Sequence, residues 1–285
     1  MATGGLKMLE SMLEQLPASE RKIAEYMLEF PHEAVNMTVG DLGTSTNTSS
    51  SAVIRLCKSL GLKGFQELKL RVAGDLTKPA EQGYRDIEPD ESMYSIVQKT
   101  TNNSIQSLRD TAEIINYDML EQAVSALLKA KTVHFFGIGA SSIIATDAQQ
   151  KLLRINKAAT AFTDAHLVAA LIANANEDDV VFGISFSGET PEVVNMMSLA
   201  KERGVKTISL TRFGQSTVAT LSDIHLFTSY SNEAPFRSAA TSSRIAQLHL
   251  IDILFLCMAS QQYEETVDYI DKTREAIRFI TKKNK

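Results

Sequence analysis

Cysteine is scarce in this chain of 285 residues, which contains only Cys57 and Cys257. The two lie far apart, each within an apolar helical pattern, so the sequence indicates neither a disulfide framework nor a zinc site. Long hydrophobic runs are also missing, because no stretch of about 18 or more apolar residues could span a bilayer. No basic-then-apolar segment of the signal-peptide type is visible at the start. We therefore expect a cytoplasmic protein without a membrane partner.

Positive charge is in short supply as well, since the net charge is −5 at pH 7. Such a balance normally argues against a nucleic-acid partner. The distribution is uneven, however. Residues 50–78 carry six Lys or Arg and two acidic residues, a local net charge of +4, whereas residues 79–285 sum to −5. This imbalance indicates a DNA-facing module attached to a neutral or acidic domain.

The chain divides by pattern into three parts. Residues 1–77 show the spacing of short helices, with Ser19, Thr38 and Ser49 as candidate N-caps and Gly61 as a stop. Residues 78–92 accumulate Pro, Gly and charge without periodicity, which predicts a linker. Residues 93–285 begin with helical patterns up to about residue 130 and then alternate strands with helices.

This alternation predicts an α/β domain with a parallel sheet flanked by helices. The strands are expected over residues 132–138, 159–163, 179–185, 206–211 and 224–228. The helices are expected at about residues 141–155, 165–174, 190–203, 216–221, 239–260 and 264–282.

Two polar loops stand where such a sheet binds ligands, beyond the carboxyl ends of strands. In "GISFSGET", residues 183–190, three side chains supply hydroxyl groups, Gly188 allows close approach of the backbone, and the following helix presents unpaired N–H groups. The hydroxyls are those of Ser185, Ser187 and Thr190. This combination is typical of a phosphate-monoester site.

The second loop, "GIGASS" at residues 137–142, leaves the first strand in the same way and brings Ser141 and Ser142 to the start of a helix. Taken singly, either loop is equally compatible with helix capping alone. Ser142 occupies the position of the third glycine of the dinucleotide-binding fingerprint, so that fingerprint is not matched. We expect no cofactor and no metal.

These two loops resemble those of the sugar-isomerase (SIS) domain, and the likeness covers about residues 120–262. The resemblance implies a phosphorylated sugar as ligand. By the same resemblance the phosphate would be held by Ser141, Ser185, Ser187 and Thr190, with Phe186 contributing its backbone and Ser142 as an additional candidate.

SIS domains include both enzymes and sensors, so the sequence leaves the presence of a reaction open. Proton transfer would need a positioned base, for which Glu189, His166 and Glu233 are the candidates. Glu189 opens a helix, where a carboxylate favours the helix dipole without a catalytic role. His166 could line the crevice, although a structural histidine is equally compatible. The domain therefore predicts a phosphate site more clearly than a reaction, and we expect no enzyme.

The basic segment predicts a helix-turn-helix. Val53, Leu56, Cys57 and Leu60 form one apolar face, which leaves the opposite face of the helix for DNA. The expected contacts of that face are Ser50, Ser51, Ile54, Arg55 and Lys58, with Lys63 beyond the helix. Arg55 could read guanine or hold a phosphate, and Ile54 could touch a thymine methyl group. Periodicity alone favours the alternative, a plain helical bundle with a solvated charged face.

The segments "SERKIAEYMLEF" and "AVIRLCKSLGLKGFQELKL" resemble the N-terminal domain of the RpiR family of bacterial transcription regulators. That family joins an all-α helix-turn-helix domain to a C-terminal SIS domain, and with this the likeness covers about residues 6–262. One departure is Asn47 in the turn, where the family often has glycine. Asn tolerates the left-handed conformation, so the turn is still expected.

The resemblance implies a homodimeric or homotetrameric repressor that binds operator DNA and senses an amino-sugar 6-phosphate. Likeness within the family, including "DAQQKLLRI", points to N-acetylmuramic acid 6-phosphate. Ser238 is expected to complete either the sugar site or a subunit contact. The alternative is an SIS-type isomerase or etherase with an accessory helical domain.

Overall fold

The computed structural model of the chain describes residues 4–76, 89–229 and 240–281. These residues fall into two compact units, the first containing the helices up to Lys99 and the second containing the parallel sheet. Each unit has a hydrophobic core of its own. Most of the expected linker lies outside the described residues.

The first unit is built from helices, as its periodicity predicts. They are α1 (Gly5–Met12) with a following 3-10 turn (Leu13–Gln15), α2 (Ala18–Glu29), α3 (Pro31–Ala34), α4 (Val39–Ser45), α5 (Ser50–Ser59) and α6 (Phe65–Leu76). One detail of the prediction is wrong. α2 begins at Ala18 after Pro17, so Ser19 lies inside the first turn and is not the N-cap. Pro31 ends α2 but also starts the one-turn helix α3.

The helix-turn-helix is formed by α4 and α5. Thr38 caps α4 through a capping box, because its side chain accepts the Asp41 N–H and the Asp41 carboxylate accepts the Thr38 N–H. Ser49 caps α5 by accepting the Ala52 N–H. Asn47 has a φ of 50° in the turn between the helices, the left-handed conformation that was expected of it. Both predicted caps and the turn are confirmed.

The second unit contains a five-stranded, fully parallel sheet in the order β2-β1-β3-β4-β5. Its strands are β1 (Thr132–Gly137), β2 (Ala158–Thr160), β3 (Asp179–Ile184), β4 (Lys206–Arg212) and β5 (Ile224–Thr228). The remaining helices are α7 (Met93–Ile114), α8 (Tyr117–Lys129), α9 (Ala140–Leu153), α10 (Ala165–Asn174), α11 (Pro191–Glu202), α12 (Thr217–Leu221), α13 (Ser242–Gln261) and α14 (Tyr263–Thr281).

Helices cover both faces of this sheet, so the strands read as continuous apolar runs. On one face α8, α9 and α13 pack against side chains such as Phe135, Phe182 and Leu210. On the other face α10, α11 and α12 pack around Phe136 and Val181. The predicted fold class is confirmed.

Helix α13 is long and apolar enough to cross a membrane by composition alone. Its buried side chains, including Leu250, Ile251 and Leu254, belong to the core on the α8 and α9 face of the sheet. Lys151 of α9 also forms an ion pair with Asp252 at 3.0 Å. The apolar character of α13 is therefore that of a core helix.

Candidate functional site

The two polar loops leave neighbouring strands at the same edge of the sheet. β1 and β3 pair in parallel and end in register, with Gly137 opposite Ile184. The loop after β1 leads to α9 on one face, and the loop after β3 leads to α11 on the other. In a sheet of this strand order, the ends of the first and third strands are where a ligand-binding crevice is expected. The expected juxtaposition of the two loops is thus present.

The β1 loop, residues 137–142, is shaped by its glycines. A Cβ on Gly137 would lie 2.8 Å from the Ser141 carbonyl oxygen, so the turn closes only on glycine. Gly139 has a φ of 60° and stands at the N-cap of α9. Ser141 is buried, and the Ser142 hydroxyl donates to the Gly139 carbonyl at 2.7 Å. The Ser142 proton is therefore already used inside the loop.

The β3 loop, residues 185–190, is held by its own hydroxyl groups. The Ser185 and Thr190 hydroxyl oxygens are 2.9 Å apart. Ser185 Oγ also accepts the Gly188 N–H at 3.1 Å, and Ser187 Oγ accepts the Glu189 N–H at 3.2 Å. Ser187 and Thr190 remain partly exposed, so their hydroxyls can meet a ligand.

Backbone hydrogen bonds continue from β3 into this loop. The Ser185 N–H donates to Leu210 at 3.1 Å, and the Phe186 carbonyl accepts the Arg212 N–H at 2.9 Å. Phe186 is buried. Its carbonyl therefore anchors the loop to β4.

Glu189 fixes the β3 loop to the start of α12. Its carboxylate accepts the Thr217 N–H at 2.8 Å and the Thr217 hydroxyl at 2.7 Å. The sequence predicted a dipole role at Glu189's own helix, whereas the structure shows both oxygens bonded to the first residue of a different helix. No spacing in the sequence indicates that contact, since Glu189 and Thr217 are 28 residues apart.

Neither loop contains a lysine or an arginine. An anion bound there would therefore interact with helix dipoles and hydroxyl groups, and not with cationic side chains. α9 and α11 both begin without a side-chain capping bond. In α9 the Ser141 and Ser142 N–H groups already donate to the Ile138 and Gly139 carbonyls, and Pro191 at the start of α11 has no N–H. The partial positive charge of each helix end nevertheless favours an anion. Together with the Ser187 and Thr190 hydroxyls, this arrangement suits a phosphate group.

Two further expected ligand residues are less well connected. His166 is exposed on the first turn of α10, and its N–H donates to the Asp164 side chain at 2.8 Å. Among the described residues, no hydrogen bond of the His166 side chain reaches the β1 or β3 loop. Ser238 and Glu233 lie outside the described residues.

The sheet contains one buried histidine and one half-buried histidine. His134 lies in β1, where its Nδ1 is 2.9 Å from the Thr160 hydroxyl of β2. Burial lowers the pKa of His134, against a smaller opposing effect of Asp179. Burial also lowers the pKa of His225 in β5. Over the described ranges, no group of three His, Cys, Asp or Glu side chains could hold a metal ion.

The helix-turn-helix presents the expected outward face. Val53, Leu56, Cys57 and Leu60 are buried in the core of the first unit. The residues predicted to meet DNA are exposed, namely Ser50, Ser51, Ile54, Arg55, Lys58 and Lys63.

Two basic residues of this segment are used within the domain. Lys69 donates to the Met37 carbonyl at 2.9 Å and lies 5.6 Å from the centre of the Phe65 ring. Arg71 is buried and pairs with Glu67 at 3.1 Å. The outward positive charge of the described segment is therefore smaller than its composition indicates.

Comparisons with known proteins match both units. The SIS domain matches residues 126–257, and the helix-turn-helix domain of the rpiR family matches residues 3–79. An HTH-type transcriptional regulator of Bacillus subtilis, YbbH, is 62% identical over 277 residues, covering 97% of this chain and 98% of YbbH. The chain belongs to the RpiR family of transcriptional regulators.

Two further proteins align over most of their length. The HexR regulator of Pseudomonas aeruginosa is 32% identical, covering 87% of each chain. The structure of Vibrio vulnificus NanR complexed with ManNAc-6P is 30% identical with a TM-score of 0.63, covering 98% of this chain and 100% of NanR. This RpiR regulator therefore combines a DNA-binding helix-turn-helix with a sugar-phosphate-binding type of domain.

Proposed function

We propose that the chain is a transcriptional repressor whose SIS domain senses an amino-sugar 6-phosphate and thereby controls sugar catabolism genes. The observation that carries the proposal is the pair of polar loops at the adjoining ends of β1 and β3. Ser141, Ser185, Ser187 and Thr190 would surround the phosphate, and the positive ends of the α9 and α11 helix dipoles would favour its charge. The sugar would extend from there towards the α10 side, where His166 stands.

The ligand class is supported by NanR, whose structure contains ManNAc-6P. We propose N-acetylmuramic acid 6-phosphate as the first candidate effector of this chain, because the sequence likeness within the family points to it. Ser142 and Glu189 would act mainly by shaping the loops, since their own hydrogen bonds tie them to Gly139 and Thr217.

Operator DNA is the proposed second partner. α5 would enter the major groove with the exposed face that carries Arg55 and Lys58, as recognition helices do. Base edges would be read from that face, while Lys58 and Lys63 would contact phosphates. This activity would take place in the cytoplasm, where the DNA is.

A homo-oligomer is proposed from the surface of α14. This helix of 19 residues buries only Thr266 among its described residues. Tyr263, Ile277, Phe279 and Ile280 are at least half exposed. In proteins most of the stability of a helix comes from packing of its apolar face, and exposed apolar clusters mark interfaces. A dimer or tetramer would cover them and would match a palindromic operator.

Regulation requires that the sugar phosphate bind two quaternary states with different affinities. A ligand with equal affinity for both states leaves the equilibrium between them unchanged. The test starts with thermal unfolding of the full-length chain in the presence of N-acetylmuramic acid 6-phosphate, N-acetylmannosamine 6-phosphate, N-acetylglucosamine 6-phosphate or inorganic phosphate. A ligand that binds only the folded chain stabilises it by about 2.7 kcal/mol at 100 times its Kd. If no sugar phosphate raises the melting temperature of the chain, the proposal is contradicted.

DNA binding is tested with a random 30-base-pair duplex pool, from which the chain should enrich a sequence with two-fold repeats. The stabilising sugar phosphate should then change the affinity for that duplex. Chromatography of the same sugar after incubation distinguishes the alternative, since an isomerase or etherase would convert it. If the chain converts the sugar phosphate and enriches no duplex, the chain is an enzyme and not a repressor.

A further inference from the structure

A buried carboxylate lies directly behind the exposed face of α5. Glu20, in the first turn of α2, is only 3% exposed. Its Oε2 accepts the Ser59 hydroxyl at 2.7 Å, and its Oε1 lies 3.5 Å from Arg55 Nε. The Arg55 side chain itself is 54% exposed. One edge of the guanidinium thus faces protein and the rest faces outward.

Burying a carboxylate is costly unless it is paired and hydrogen-bonded. For Glu20, Ser59 and Arg55 supply both partners from α5. Arg55 gains a weaker third contact, because its Nη2 is 3.5 Å from the Ser19 hydroxyl. The arginine is therefore held at its Nε side by two neighbouring residues of α2.

Holding Nε matters because of guanidinium geometry. The group is planar, with five donors in a rigid fork, and it reads guanine or phosphate through paired N–H groups. An unrestrained arginine loses side-chain entropy when it binds, at a cost that pre-organisation reduces. With Nε 3.5 Å from Glu20 and Nη2 3.5 Å from Ser19, one edge of the guanidinium faces α2, which leaves Nη1 and the second N–H of Nη2 for DNA.

We propose that Glu20 is a positioning residue for DNA recognition, which fixes the Arg55 guanidinium so that its terminal nitrogens form a preset fork. This inference rests on the proposed DNA-binding function. Because Glu20 also brings a negative charge near DNA, it would improve discrimination between sequences and not overall affinity. A purely structural Glu20 would affect stability alone.

The test is a double-mutant cycle on the full-length chain, with the duplex that the wild type selects from the random pool and a scrambled duplex of equal length. The quantity measured is the ratio of the two affinities. Arg55→Ala should lower this ratio, and Glu20→Gln should lower it by about 3- to 30-fold. In the Arg55→Ala background, Glu20→Gln should have no further effect on the ratio.

Two control variants separate positioning from packing and charge. Ser59→Ala removes the other bond of the same carboxylate, so it should lower the melting temperature and leave the ratio unchanged. Glu25→Gln removes one negative charge from the exposed surface of α2 and should also leave the ratio unchanged. If Glu20→Gln does not fold, Glu20→Asp keeps the charge but withdraws it from Arg55, and the ratio should fall again.

The failures are distinguishable. Selection of no duplex by the wild type would refute the DNA-binding function itself. An unchanged ratio in Arg55→Ala would refute base reading by Arg55. A lowered ratio in Arg55→Ala, combined with an effect of Glu20→Gln that is absent or equal in both backgrounds, would overturn the positioning role alone.

Discussion

Gly188 lies against Ser216, so that a Cβ on residue 188 would fall 2.2 Å from the Ser216 hydroxyl oxygen. Gly188 also has a φ of 71°, which favours glycine. Its carbonyl accepts the Val218 N–H at 3.0 Å. The β3 loop and the start of α12 are therefore one packed unit, and the hydroxyls of the loop take their positions from that packing.

Replacing Gly188 by alanine should damage both stability and ligand binding. The left-handed conformation costs a non-glycine residue about 1–2 kcal/mol, and the overlap with Ser216 adds about 1–3 kcal/mol. We expect Gly188→Ala to lower the free energy of unfolding by about 2–5 kcal/mol in urea titrations and to abolish stabilisation by the sugar phosphate.

Gly204→Ala is the matched control. Gly204 follows the other end of α11, has the same φ of 71°, and has no atom within 4 Å of its would-be Cβ. Only the conformational cost of about 1–2 kcal/mol should remain, with sugar binding intact. Equal losses for the two variants would show that contact with Ser216 contributes nothing.

Glu189→Gln tests whether this carboxylate shapes the loop or acts on the ligand. A glutamine keeps one acceptor oxygen and loses the other, so one of the two bonds to Thr217 is lost. The free energy of unfolding of the ligand-free chain should fall by about 0.5–1.5 kcal/mol. A variant with unchanged ligand-free stability but strongly weakened sugar binding would indicate direct contact with the ligand.

The sequence was sufficient for features that depend on local spacing. Thr38, Ser49 and Asn47 act through neighbours within four residues along the chain, and all three behave as expected. The alternation of apolar runs with helical periods likewise placed α10 and β5 at their observed bounds. From that alternation the parallel sheet, and with it the shared edge of the two loops, could be predicted.

Long-range pairs could not be predicted in this way. Glu189 reaches Thr217 and Glu20 reaches Ser59 across 28 and 39 residues, and both glutamates look like ordinary first-turn acids in the sequence. Ser19 was a reasonable cap by residue type, but Pro17 already provides the extended backbone before α2. The composition of residues 50–78 also overestimates the outward positive charge, because Arg71 is buried against Glu67.

Asn47 should be replaceable only by residues that adopt a positive φ. Asn47→Gly should change the stability of the helix-turn-helix by less than about 0.5 kcal/mol, whereas Asn47→Val should lower it by about 1–2 kcal/mol and weaken DNA binding. Asn156→Val is the control, since Asn156 has a φ of 59° after α9. It should cost similar stability without affecting DNA affinity.

Cys57 should make the stability of the first unit fall at alkaline pH. Burial raises the pKa of its thiol from 9.0 to about 11. The folded state therefore binds this proton more tightly than the unfolded state does, and the stabilisation is fully present below pH 9 and lost as the pH rises towards 11. Circular dichroism of urea unfolding between pH 8 and 11 measures it. Cys57→Ala should show a flatter pH dependence, and parallel curves would contradict the assignment.

Ser187→Ala should separate sugar sensing from DNA binding. The Ser187 hydroxyl is partly exposed and accepts only the Glu189 N–H at 3.2 Å among its described hydrogen bonds, so its proton can be donated to a phosphate oxygen. A hydrogen bond to a charged group contributes about 1.5–3 kcal/mol, which corresponds to a loss of about 10- to 100-fold in sugar-phosphate affinity. Without sugar, the affinity for the selected duplex should equal that of the wild type, while the sugar concentration that changes it should rise by the same factor.

Ser142→Ala should have a smaller effect, because the Ser142 proton is already donated to Gly139. An unaltered response of Ser187→Ala in isothermal titration and in DNA binding would show that the phosphate lies elsewhere.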